Sequence, residues 1–150
     1  MEKSEHQMSV IVRTITNVLF PFIMVYGLYI IMHGHITPGG GFQGGVIVGA
    51  ACVLLFVAFG YPVSEKYRKN LFTALESVGG LAFIGVAFLG IAVAFFFNMF
   101  WHYRILFSGA PGTFYSAGML PFMNMAVGTK VVAGIVTIIF AMGIRAWWLK

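Results

Sequence analysis

The chain has 150 residues, of which 60% are hydrophobic, 17% aromatic and only 9% charged, and its mean hydropathy is +0.94. Soluble domains average about 45–50% apolar and about 25% charged residues, so the composition excludes an ordinary soluble protein and indicates an integral membrane chain. The net charge of +5 does not indicate nucleic-acid binding, because the basic residues are few and their placement fits membrane topology.

Four apolar runs are long enough to cross a hydrocarbon core of ~30 Å at ~20 residues per helix. They predict helices at approximately 10–32, 44–60, 71–97 and 124–148, within a single membrane domain that spans residues 1–150. The acidic residues near the start argue against a cleaved signal peptide, so the first run predicts an uncleaved membrane helix. The fold class is therefore an all-α integral membrane protein with four transmembrane helices.

A glycine-rich segment separates the first two predicted helices. Residues 33–45 read His-Gly-His-Ile-Thr-Pro-Gly-Gly-Gly-Phe-Gln-Gly-Gly. Proline followed by three glycines is unsuited to a helix interior, because proline removes a donor and glycine is entropically costly there. A close backbone approach, a sharp re-entry or a contact with a partner would each suit such a segment, at Pro38, Gly39, Gly40, Gly41, Phe42 and Gln43, and His35 just before it could line a polar path.

The basic residues predict the orientation of the chain. With four spans, one side holds seven lysines and arginines, whereas the other holds only Arg104, with Lys130 inside the last span. The positive-inside rule therefore predicts that both termini are cytoplasmic and that the glycine loop lies on the outer side. The seven are Lys3, Arg13, Lys66, Arg68, Lys69, Arg145 and Lys150.

Two small-residue motifs predict close helix packing. Gly45 and Gly49 in the second span, and Gly90 and Ala94 in the third, are spaced four residues apart, which allows two helix backbones to approach closely. The single cysteine, Cys52, lies in an apolar run and has no partner for an intrachain disulfide or a metal cluster.

Two ionisable residues fall within predicted spans. Glu76 is the one carboxylate there and is followed on its face by Gly79 and Gly80, which makes it either a functional group or a group solvated near the interface. Lys130 is the matching cation. Each lies ~8–9 Å into its predicted helix, but from opposite sides of the membrane. The sequence therefore predicts that the two are too far apart to pair, and that any buried partner belongs to another subunit.

The remaining polar residues give little support for catalysis. There is no aspartate, and no hydrolase, zinc-protease or phosphate-loop motif. His33, His35 and His102 fall on the predicted outer side, where a pair of imidazoles could hold a haem or line a proton path. We expect a non-enzyme with no cofactor and no metal site.

At this point the residues resemble a known family. The run from Thr37 to Val46, which contains the proline, the three glycines, Phe42 and Gln43, is similar to the signature of the MrpB (MnhB) subunit of bacterial multisubunit Na⁺/H⁺ antiporters. The stretches 120–124 and 127–131 also fit that family's pattern ahead of its last helix. The resemblance covers nearly the whole chain.

The resemblance implies a small, essential, non-catalytic subunit of the bacterial cell membrane. Its partners would be antiporter subunits of the A, C, D, E, F and G types, with Na⁺ and H⁺ as the transported ions. The large A and D types would carry the main translocating machinery. Three alternatives stay open: a di-histidine haem- or quinone-binding membrane protein, a subunit of a membrane-bound hydrogenase-type complex, and a structural spacer that lines no ion path.

Overall fold

The computed structural model describes residues 8–59, 65–91 and 93–148, with the side chains of 65–69 and 143–148 left undescribed. All the regular elements in these ranges are helices: α1 (Val10–His33), α2 (Gly41–Phe59), α3 (Glu65–Phe88), the single-turn α4 (Met99–His102) and α5 (Leu120–Trp148). Four of them contain segments long and apolar enough to cross a membrane. The predicted all-α membrane fold is confirmed. The apolar segments are Val10–His33, Gly41–Phe59, Asn70–Phe88 and Leu120–Met142.

The four long helices pack as a row in the order α1, α2, α5, α3. α1 and α2 are antiparallel neighbours joined by a short turn. α2 and α5 run parallel, since contacts advance along both helices from Gly41 beside Asn124 to Phe56 beside Phe140, whose ring centroids are 4.5 Å apart. α3 packs antiparallel to α5 on its other side, with Phe72 also beside Phe140. The centre of the row is therefore the α2–α5 pair.

Helix boundaries differ from the sequence expectation in three places. α2 begins at Gly41 rather than near residue 44, and α5 begins at Leu120 rather than near Asn124. α3 covers 65–88 rather than 71–97, because its first turn is polar and its predicted last turns fold back instead. Tertiary packing overrides intrinsic propensity at such ends.

The fold-back after α3 removes one predicted packing motif. Gly90 lies beyond the helix, and a Cβ there would be 2.5 Å from the carbonyl oxygen of Phe97. The amide of Ala94 donates to the Gly90 carbonyl, 3.1 Å away, within this turn. The prediction that Gly90 and Ala94 form a helix-packing motif is therefore wrong.

The connection from α3 to α5 is organised around one asparagine. Asn98 donates from Nδ2 to the carbonyl of Ala117 at 3.0 Å, and its Oδ1 accepts from the amides of Trp101 and Met119. Three bonds from one side chain tie α4 to the start of α5. The connection lies at the same end of the row as the turn between α1 and α2, because His35 contacts the carbonyl of Phe114.

The prediction that the termini are cytoplasmic stays a prediction. Lys3 and Lys150 lie outside the described residues, and the side chains of Lys66, Arg68, Lys69 and Arg145 are likewise undescribed. Among the described basic residues of that set, Arg13 places its guanidinium carbon 5.2 Å from the ring centre of Phe59, which joins the start of α1 to the end of α2.

Candidate functional site

The turn between α1 and α2 requires glycine at two positions. Gly39 and Gly40 have φ values of +147° and +136°, a backbone region that side-chain-bearing residues rarely adopt. The preceding residues close against the end of α1, with the amides of Ile36 and Thr37 donating to the carbonyl of His33. The turn is thus a short, hydrogen-bonded reversal. Pro38 lies exposed at its tip.

The glycines that follow the turn are helical, and α2 begins at Gly41 rather than near residue 44 as the sequence predicts. Gly41 opens α2, and Phe42 and Gln43 lie in its first turn. The amide of Gly44 donates to the carbonyl of Gly40 at 3.0 Å, as the helix requires. The sequence suggested a loop because glycine disfavours helices in isolation, whereas here close packing determines the conformation.

Asn124 of α5 is the point at which the turn, α2 and α5 meet. Its Oδ1 lies 3.4 Å from the amide nitrogen of Gly41, which donates to it. A Cβ on Gly41 would collide with the Asn124 carbonyl, and one on Gly34 would collide with the Gly40 Cα. We call Gly34, Gly40, Gly41 and Asn124 the glycine junction. No residue with a side chain fits at Gly34 or Gly41.

The next glycines of α2 extend this close packing in two directions. A Cβ on Gly44 would lie 2.7 Å from the carbonyl oxygen of Gly27 in α1, and one on Gly45 would lie 2.9 Å from that of Gly128 in α5. Gly49 packs on Ile135 of α5. The predicted packing role of Gly45 and Gly49 is confirmed. The first turns of α2 therefore pack closely against α1 on one face and against α5 on another.

Two residues of the predicted motif take no part in this packing. Phe42 is 64% exposed, and Gln43 is also exposed, although both are fixed on the first turn of a tightly held helix. The motif therefore divides into glycines that pack within the chain and two exposed side chains, of which Gln43 places its Oε1 beside Gly39 of the turn.

His35 lies beside the turn, against the connection between α3 and α5. Its Nε2 is 3.2 Å from the carbonyl oxygen of Phe114, which can only accept, so Nε2 carries the proton. Its Nδ1 is buried without a hydrogen-bond partner. His35 also borders an open cleft of about 350 Å³, lined in addition by Asn98, Trp101, Pro111, Gly112, Ser116 and Ala117.

The other outer histidines have separate surroundings. His33 stacks on Tyr29 with ring centroids 4.1 Å apart and also contacts Phe114, whereas His102 packs against Phe97 and Tyr103. Within the described part of the chain, no group of three or more His, Cys or acidic side chains could hold a metal ion. Sequence reasoning passed over Asn98 and Asn124, whose signal was an amide side chain directly flanked by apolar residues.

The structure places Lys130 beside Gly79 and Gly80, about one turn of α3 beyond Glu76, rather than across the wide gap in depth that the sequence predicts. Lys130 packs on the face of α3 that follows Glu76: its backbone nitrogen is 2.9 Å from where a Cβ on Gly79 would be, and its Nζ is 3.6 Å from that position on Gly80. The reason is helix length. Because α5 and its apolar segment begin at Leu120 rather than near Asn124, Lys130 lies ~15 Å from that end, whereas Glu76 lies ~9 Å into the apolar segment of α3 from the opposite end.

Glu76 and Lys130 belong to a row of mainly polar residues along α3 and α5. Thr73, Glu76, Ser77 and Gly80 are spaced so that they share a face of α3, and Lys130 of α5 lies alongside. We call these five residues the polar stripe. Lys130, Thr73 and Ser77 are exposed, and Glu76 is half-buried.

Residues 11–137 match the family described as a domain related to the MnhB subunit of Na⁺/H⁺ antiporters. The chain is 37% identical over 120 residues to the uncharacterised protein MJ1307 of Methanocaldococcus jannaschii, covering 79% of this chain and 46% of that protein. It is 31% identical to the candidate antiporter subunit mnhB2 of Staphylococcus haemolyticus, covering 65% of this chain and 72% of that subunit.

Among solved structures, the chain resembles one chain in the structure of the membrane-bound sulfane sulfur reductase, an archaeal respiratory membrane complex. The TM-score is 0.74 at 27% sequence identity, and the match covers 93% of this chain and 60% of that one. The chain therefore spans less than two thirds of the length of this structural relative, and about half the length of MJ1307.

Proposed function

The chain belongs to the family of domains related to the MnhB subunit of Na⁺/H⁺ antiporters, and we propose that it acts as a small, essential, non-catalytic subunit of a multisubunit Na⁺/H⁺ antiporter. Its role is to support assembly of the complex and to line part of the ion path. The partners are the A, C, D, E, F and G types of antiporter subunit, and the transported ions are Na⁺ and H⁺. Both termini face the cytoplasm.

One observation carries the assembly role: the exposure of Phe42 beside the glycine junction. A side chain on a mobile loop would lose conformational entropy on binding a partner, which costs affinity. Phe42 is held on the first turn of α2, directly after a turn closed by Gly39, Gly40 and Asn124, yet it is 64% exposed. A preorganised aromatic side chain that contacts little of its own chain is suited to anchor a partner helix.

The exposed helix faces support the same role. Large apolar side chains along α1 and α3 are exposed, as expected for surfaces that contact lipid or other membrane helices. Gln43 adds a hydrogen-bonding group beside Phe42, and a polar side chain at a helix–helix contact in a membrane favours association. The turn thus offers one apolar and one polar contact.

The test is co-purification through a tag on this chain, in Phe42→Ala and in a matched variant, Phe22→Ala. Phe22 is 70% exposed on α1 and lies far along the helix from the turn. We expect Phe42→Ala to lower recovery of partner subunits and antiport in everted vesicles by about tenfold, the effect of a lost aromatic anchor. Phe22→Ala should leave both near the unsubstituted level.

Recovery of the tagged chain itself distinguishes folding from assembly. Phe42 contacts little of its own chain, so the amount of tagged chain in the membrane should not fall. Normal partner recovery and normal antiport in Phe42→Ala would contradict the assembly role. Equal losses of partner recovery and antiport in Phe42→Ala and Phe22→Ala would indicate that exposed apolar side chains in general, rather than the turn, support assembly.

A second candidate is a subunit of a respiratory membrane complex of the hydrogenase or sulfur-reductase type. The structural likeness to a chain of the sulfane sulfur reductase complex favours it. The same co-purification separates the two, because mass spectrometry would identify redox subunits in one case and antiporter subunits in the other.

A further inference from the structure

The polar stripe runs along the outside of this chain, at a depth where lipid tails would otherwise lie. Glu76 and Gly80 come six and ten residues after Asn70, where the apolar segment of α3 begins, or ~9 and ~15 Å along the helix. Lys130 lies ten residues after Leu120, ~15 Å into α5. In a hydrocarbon core of ~30 Å, the stripe therefore reaches the middle.

Little within the chain covers the charges of the stripe. Lys130 is exposed and Glu76 is only half-buried. Side chains lean toward the N-terminus of their own helix, and α3 and α5 are antiparallel, so the carboxylate of Glu76 and the ammonium of Lys130 lean away from each other. The ammonium accordingly lies beside Gly80, one turn beyond Glu76.

The surroundings of the stripe leave room for solvent. Gly80 has no side chain to cover the Lys130 ammonium. One turn further along α5, a Cβ on Gly134 would meet no atom within 4 Å. The stripe holds one acidic and one basic group, so its surroundings need to be polar but need not carry a net charge.

Lipid tails do not meet this requirement, because an ionisable group in the membrane is stable only against protein or a water-filled space. We propose that the polar stripe lines a hydrated space at mid-membrane, in which water solvates Glu76 and Lys130 together. The occupants are water and the small monovalent cations that share its path. This inference rests on the proposed function only for the cations; the hydration itself does not depend on it.

Cysteine accessibility tests the hydration. Cys52 is the one cysteine of the chain and lies on α2, so a Cys52→Ser background leaves a single introduced thiol. Ser77→Cys places that thiol on the stripe, whereas Val78→Cys and Ala82→Cys place it at exposed positions on other faces of α3, off the stripe. Intact complexes in membrane vesicles are treated with a membrane-impermeant hydrophilic methanethiosulfonate, and labelling is read on the tagged chain alone.

We expect Ser77→Cys to react at least about tenfold faster than either control, because the reagent attacks the thiolate and a thiolate forms only in water. Equally slow reaction at all three positions would overturn the proposal and indicate that a partner helix covers the stripe. Equally fast reaction at all three would also overturn it, because the water would not be confined to the stripe.

If the Ser77→Cys variant fails to assemble, Gly80→Cys provides a second labelling position on the stripe. Its Cβ would lie 3.6 Å from the Lys130 Nζ, an ordinary contact, and the position is deeper in the membrane. It should also react faster than the two controls, and failure to do so overturns the proposal. Co-purification of partners from the same vesicles reports on the proposed function separately, so the two can fail independently.

Discussion

In the glycine junction, the places where side chains would fit are already filled by backbone: that of Asn124 in α5 lies against Gly41, and that of Gly40 in the turn lies against Gly34. Along the polar stripe the reverse holds, since Lys130, Thr73 and Ser77 are exposed and Gly134 faces open space. α5 contributes to both regions. The comparison indicates that the glycine junction is complete within this chain, whereas the polar stripe is incomplete without its surroundings.

Gly41→Ala should give the largest loss of stability. Its Cβ would collide with the backbone of Asn124, which cannot rotate away as a side chain would. We expect the free energy of unfolding to fall by about 3 kcal/mol, the upper end of the usual range for overpacking. The measurement is the thermal midpoint of the tagged chain in detergent.

Gly85→Ala is the matched control for Gly41→Ala. Gly85 lies inside α3, and a Cβ there would meet no atom within 4 Å, so the change should be neutral or stabilise the helix by up to about 1 kcal/mol. A midpoint for Gly41→Ala equal to that of Gly85→Ala would break the comparison, because the junction would then tolerate side chains.

Gly40→Ala should have a smaller effect, since it tests backbone strain without collision. The nearest atom to its Cβ, the Oδ1 of Asn124, would be 3.6 Å away, but φ is +136°. We expect a loss of about 2 kcal/mol from forcing alanine into this region. Gly134→Ala, which also adds a methyl group into free space, should show no comparable loss. If the two variants unfold alike, the turn does not need glycine at this position.

Glu76→Gln should change the stability of the isolated chain least. Glu76 is half-buried on the stripe, so the free energy of unfolding should change by less than about 0.5 kcal/mol. Antiport in vesicles should nevertheless fall, because the charge belongs to the proposed path. A large drop in the thermal midpoint with unchanged antiport would reverse the assignment and make Glu76 a structural residue.

The sequence was most informative where a single physical property decides the outcome. Apolar length determined the four spans, and small residues four apart located the contact of Gly45 and Gly49 with α5. It failed where tertiary contacts decide. Phe42 is helical only because Gly41 and Gly44 find backbone partners in α5 and α1, and neither partner can be identified from local sequence.

The sequence misplaced Lys130 along α3 for a related reason. Apolar runs mark the part of a helix inside lipid, whereas α3 continues into the polar residues from Glu65 and α5 begins at Leu120. Counting from Asn124 placed Lys130 near the outer surface, whereas counting from Leu120 places it ~15 Å deep, about one turn of α3 beyond Glu76. The glycine motif was recognised, but its division into packing glycines and exposed side chains required the structure.

The parallel pairing of α2 with α5 has a consequence for biosynthesis. α1 and α2 can form their hairpin as soon as both have left the ribosome, but the surface of α2 around Gly45 finds Gly128 only after about 80 further residues have been made. α3 is inserted in the meantime, yet its contacts are with α5 rather than with α2. The last helix to be synthesised is therefore the one that closes the bundle, so a chain cut short before residue 120 would hold two unpacked parts in the membrane.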